Sequence, residues 1–154
     1  MFTVESRVDT SGIIRGVQGL DAILDAACRG GLADAGKALM DDTVDEMPET
    51  PILTSALRGS GSVYVSGELS SISDHGIPTY QAGPDGAERR VTDRVAEVLF
   101  NAPYAWVQHE MYPVKRVTGC GMKYLEVKIY GNAYKYISIL TDGIRNRFTA
   151  LRVI

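Results

Sequence analysis

The chain has 154 residues, 16 of them basic and 19 acidic, for a formal net charge of −3 at pH 7. That length suits one domain over residues 1–154, able to bury about two-thirds of its unfolded surface. With 45% hydrophobic residues the chain is not disordered as a whole, and its acidic balance argues against a protein that grips free duplex DNA.

Phe2 to Val8 alternates apolar and polar residues, which predicts a short strand. From Ser11 to Glu46, Leu20, Ile23, Leu24, Ala27, Cys28, Leu32, Ala35 and Leu39 recur at steps of three or four and predict a helix with one apolar stripe. Gly30-Gly31 interrupts that stretch, and glycine is costly inside a helix, so a break or kink is expected there. Pro48 ends the segment, because the residue before a proline avoids the helical region.

Pro48 to Ser60 reads as a linker and Ser60 to Ser66 as a strand. Gly67 to Arg90, rich in Ser, Gly, Pro and Asp, reads as a long polar loop whose turn would fall at Pro84-Asp85-Gly86. Arg94 to Phe100 alternates again as a strand. Ala102 to Glu110 follows as a short helix, with Pro103 suited to its first turn. Met111 to Gly121 is a second loop. Met122 to Arg147 is a long amphipathic helix with Leu125, Ile129, Ala133, Tyr136, Ile137, Leu140, Ile144 and Phe148 on its stripe and Gly131 as its weak spot. Leu151 to Ile154 would end the chain as a strand. The expected class is α+β: a small antiparallel sheet packed against a long N-terminal helix and a C-terminal helix.

Chemistry is hard to place on this pattern. His109-Glu110 lacks the second histidine of a zinc helix, and the other histidine, His75, sits in the polar loop. Gly59-Ser60-Gly61 precedes a strand and no helix, so it is no phosphate cradle. No G-x-S-x-G elbow occurs. The acidic run Asp41-Asp42 with Asp45-Glu46 reads as a solvated or partner-facing patch. Cys28 fits a small core position and Cys120 a loop, with no disulfide between them expected. These residues call for no cofactor and no metal, and the reading is of a protein that is not an enzyme. Arg145, Arg147 and Arg152, with Arg89, Arg90 and Arg94, are either ordinary helix-end and strand-flank charges or contacts to an acidic partner. Tyr130 and Tyr134 fall off the apolar stripe and are candidate interface residues.

Three segments in order carry a resemblance. Pro51-Ile52-Leu53-Thr54-Ser55-Ala56-Leu57-Arg58-Gly59-Ser60 resembles a P-x-x-T-G-x-L-R-x-S segment. Asn101-Ala102-Pro103-Tyr104-Ala105-Trp106-Val107-Gln108-His109-Glu110 is similar to a Y-A-x-x-x-H-E segment after a strand. Gly121-Met122-Lys123-Tyr124-Leu125-Glu126 is like a K-[FY]-L helix opening. All three belong to the neck proteins of tailed bacteriophages, known as head–tail joining, tail-completion or minor capsid proteins. Ser55 departs from the family's glycine, and the 67–90 loop is long for it.

The resemblance implies a virion protein that forms a sixfold ring in the neck. It would touch the head-completion or connector ring on one side and the tail terminator or tail tube on the other. Genome DNA would pass through, with no membrane involved. The residues that matching implies are Pro51, Thr54, Leu57, Arg58, Tyr104, Trp106, His109, Glu110, Tyr124 and Leu125, as interface or fold-holding positions. A tail terminator or head-completion role is the near alternative. A nucleic-acid-binding or toxin-like module with a face of Arg89, Arg90, Arg94, Arg145 and Arg147 is the distant one.

Overall fold

The computed structural model describes residues 11–50, 55–75, 94–110 and 123–152. The strand expected over Phe2 to Val8, the turn at Pro84-Asp85-Gly86, the loop Met111 to Gly121 with Cys120, and Val153-Ile154 lie outside them. The elements are α1 (Ser11–Asp45), a 3-10 turn (Arg58–Ser60), β1 (Gly61–Val65), β2 (Glu68–Ile72), β3 (Ala96–Phe100), α2 (Ala105–Glu110), α3 (Tyr124–Gly131) and α4 (Ala133–Arg152). The class is α+β, as the patterning indicates. Among the described residues no helix is long and apolar enough to cross a membrane.

The expected break at Gly30-Gly31 does not occur. α1 runs unbroken for 35 residues, about 52 Å at 1.5 Å per residue. The glycines serve a different purpose. A Cβ on Gly31 would come within 2.8 Å of Ile144 Cγ1 and of the Leu140 carbonyl, and one on Gly143 would come within 3.0 Å of Gly31 Cα. α4 therefore lies so close along α1 that only glycine fits at the crossing, and this packing outweighs the poor helix propensity. Next to the crossing, Arg147 grips Asp34 with two hydrogen bonds, Nη1 to Oδ2 and Nη2 to Oδ1. At the other end Lys135 and the Tyr136 hydroxyl both donate to the carboxylate of Asp42. The pairing of 34 with 147 and of 42 with 135 makes the two helices antiparallel.

Asp42 corrects the reading of the acidic run. It is buried, and its charge is met by α4. Asp41 pairs with Lys37, and Glu46 lies near Lys128 and Lys135. Lys128 is buried to 3% exposure and donates to the Met47 carbonyl just past α1. A cation there offsets the negative C-terminal end of the helix dipole.

The sheet covers another side of α1. Its order is β2-β1-β3, antiparallel throughout. β1 is buried along its whole length. It meets α1 at Gly36, where a Cβ would stand 2.6 Å from Val63 Cγ1. β2 lies inside the stretch read as a loop from Gly67 onward. The hairpin turns at Ser66 and Gly67, with φ 52° and 79°, the geometry of a two-residue turn with both central residues left-handed. β2 escapes a hydrophobicity pattern because it is an exposed edge strand, Glu-Leu-Ser-Ser-Ile.

The last helix is two helices. α3 stops at Gly131 and α4 starts at Ala133, with Asn132 at φ −118°, ψ 21° between them. The break shifts the helical phase, so Ile129 and Ile137, expected on the buried stripe, are 41% and 59% exposed. α4 also continues to Arg152, so Leu151 and Arg152 are helical and not a strand.

The crossing makes opposite predictions for two glycines. Gly31→Ala should lower stability by about 1–3 kcal/mol through overpacking, despite the better helix propensity. Gly19→Ala, which meets nothing within 4 Å, should raise it by up to about 1 kcal/mol. Urea midpoints at unchanged slope check both signs.

Candidate functional site

The signature residues come from three stretches far apart in the chain. Pro51 and Thr54 lie outside the described residues. The others are largely brought together. Leu57, Ala102, Ala105 and Tyr124 form one buried cluster, and Phe100, Tyr104 and Leu125 pack against it. Leu57 comes from the turn before β1, Ala102 to Ala105 from the entry of α2, and Tyr124 from the first turn of α3.

Tyr124 is the hub. It is 2% exposed and its ring meets Phe100 at 5.7 Å and His109 at 4.9 Å between centroids, both near perpendicular. Such edge-to-face pairs add about 0.5–1.5 kcal/mol beyond area burial. Burial pushes the Tyr124 phenol well above its ordinary pKa, so it stays neutral. The α2 and α3 segments are tied where the Lys123 N–H donates to the His109 carbonyl at 2.9 Å. Lys123 itself has φ 52°.

His109 and Glu110 interact with each other. His109 Nδ1 lies 2.7 Å from Glu110 Oε1. His109 Nε2 is buried and has no hydrogen-bond partner among the described residues. The histidine thus braces α2 against Tyr124. Among the described residues no three His, Cys, Asp or Glu side chains gather in a metal-binding arrangement.

Arg58 works on the opposite side of Leu57. Its Nη2 donates to Glu49 Oε2 at 2.5 Å and its Nε to the Thr50 carbonyl at 3.0 Å. Both groups are mostly buried, so the pair fastens the segment after α1 to the turn before β1. Ser55, where the resembling segment carries glycine, has φ 55° and accepts the Gly59 N–H at its carbonyl. The left-handed conformation that glycine adopts freely is therefore kept by a serine, at a cost of about 1–2 kcal/mol.

Trp106 is the exception. It is 64% exposed and stands on the rim of an open, largely apolar groove of about 240 Å³. Val98, Phe100, His109, Tyr124 and Leu125 line that groove beside it. Tyr130 and Tyr134 are 78% and 86% exposed on α3 and α4. Of the arginines, Arg89 and Arg90 lie outside the described residues. Arg94 pairs with Asp25, Arg145 with Asp142 and Arg147 with Asp34.

Burial sorts these positions into two kinds. Leu57→Ala should lower stability by about 2–4 kcal/mol, since its side chain is enclosed in the knot. Trp106→Ala should change stability by less than about 0.5 kcal/mol. As the chain holds one tryptophan, its fluorescence should be red-shifted and readily quenched by iodide, and thermal melts should separate the two variants. Comparison with protein-family models, with curated proteins and with solved structures returns no match for this chain.

Proposed function

We propose that this chain is a structural protein of the neck of a tailed bacteriophage, part of a ring that joins the DNA-filled head to the tail. The reading rests on the resemblance of three sequence segments to neck proteins. The observation that carries it further is the convergence of those segments on one knot around Tyr124.

In this reading the residues divide their work. Leu57, Arg58, Tyr104, His109, Tyr124 and Leu125 hold the knot rigid. Trp106 and the groove beside it face a partner ring, either the connector on the head side or the terminator and tube on the tail side. An exposed tryptophan beside an apolar groove is a typical binding anchor. Among the described residues Arg94, Arg145 and Arg147 each pair with an aspartate, which supports assembly over the nucleic-acid reading.

Electron microscopy of lysates from a phage lacking the gene tests the role. DNA-filled heads and finished tails that remain apart are expected, and normal infectious particles would overturn the proposal. Trp106→Glu should leave the fold intact and give the same unjoined parts.

A further inference from the structure

Among the described residues the sheet ends at β3, since its order is β2-β1-β3. The bonds to β1 show which backbone groups of that edge strand are already used. The Ser66 N–H donates to the Val95 carbonyl at 2.9 Å, and the Asn101 N–H to the Ser60 carbonyl at 3.2 Å. With Ser62 opposite Leu99 and Tyr64 opposite Glu97, the odd-numbered residues of this stretch are the ones that exchange bonds with β1. Ala96, Val98 and Phe100 therefore turn their N–H and carbonyl groups to the outer edge. The groove beside Trp106 wraps that edge. Val98 and Phe100 share the α1 face of the sheet with Ala96, Leu99 lies on the other face, and all but Ala96 line the groove.

We infer that this edge takes an extended segment of the partner as an added strand, with Trp106 packing over it. The backbone chemistry selects the occupant. An outward row of N–H and carbonyl groups is matched by another extended backbone, whereas a helix has used its own groups within its turns. Five residues of strand rise about 16 Å, so the added strand is about five residues long. Every second side chain of that strand would fall into the groove toward Trp106 and Leu125, and those between would face water. The segment is therefore apolar at alternate positions.

The two edges of the sheet differ in this respect. β2 is bulged at Ser70, because Val63 pairs with Ser71 and Tyr64 with Leu69. Bulges are one means by which an edge avoids further pairing. β3 has none: it pairs in regular register through all five of its residues. Its edge is thus straight enough to template a strand, and the apolar groove fixes the register of that strand, since a slip by one residue would turn polar side chains into it. The identity of the partner rests on the neck reading; the free edge of β3 does not.

The test is amide hydrogen exchange read residue by residue, on the full chain alone and after mixing with the DNA-filled heads, or with the finished tails, of a phage lacking the gene. In the chain alone the amides of Glu97 and Leu99 should exchange about tenfold or more slower than those of Ala96, Val98 and Phe100. With the particle that binds, those three should slow by about tenfold or more, and the Trp106 fluorescence should shift to the blue. Ala96→Pro removes one outward N–H and no bond to β1. It should move the melting temperature by less than about 5 °C and weaken binding to that particle by about tenfold. Outer amides already as slow as Glu97 and Leu99 in the chain alone would overturn the added strand. So would binding that leaves them unchanged, or a folded proline variant that binds as well as the original. Should the proline variant not fold, the exchange of the unaltered chain decides. Failure of the neck role looks different: normal infectious particles without the gene, or binding to neither heads nor tails, would overturn that role and with it the partner named here.

Discussion

The close approach of α1 and α4 at Gly31 and Gly143 is the constraint on which the other parts depend. It lets a 20-residue helix lie flat along a 35-residue one. The energy comes from the apolar contact that this closeness permits. The Arg147–Asp34 pair beside it is about 40% exposed on both sides, so screening by water leaves it worth roughly 1 kcal/mol or less. Its value is directional: it fixes how far α4 slides along α1. At the other end Asp42 is buried beneath Lys135 and Tyr136, so removing Lys135 leaves its carboxylate away from water without a counter-charge, and the buried Lys128 is held by the Met47 carbonyl. α1 is thereby held at both ends, and the sheet packs on it through Gly36 and Val63.

With the spine fixed, the knot around Tyr124 closes the chain upon itself. Leu57 and Tyr124 are separated by 67 positions in sequence, yet both are 2% exposed in one cluster. The knot also underlies the open groove beside Trp106. Trp106 sits on α2, and α2 is tied to α3 through Lys123 and His109, so the exposed indole stands on a firm base.

Much of this was legible in the residues, and what was not has identifiable causes. The long helix follows from the spacing of apolar residues in α1, and β1 from Val63 and Val65. Gly30-Gly31 was read as a breaker because propensity is local, whereas the Cβ clash with Ile144 and Gly143 arises from residues more than a hundred positions away. β2 was missed because an exposed edge strand has no apolar period, although Ser66-Gly67 is a turn signal that could have marked it. The break at Asn132 is one residue wide, too short to disturb an apolar pattern by eye. For the site, periodicity alone gave no reason to join Leu57, Tyr104 and Tyr124. The family resemblance named them, and only the tertiary structure brings them into contact.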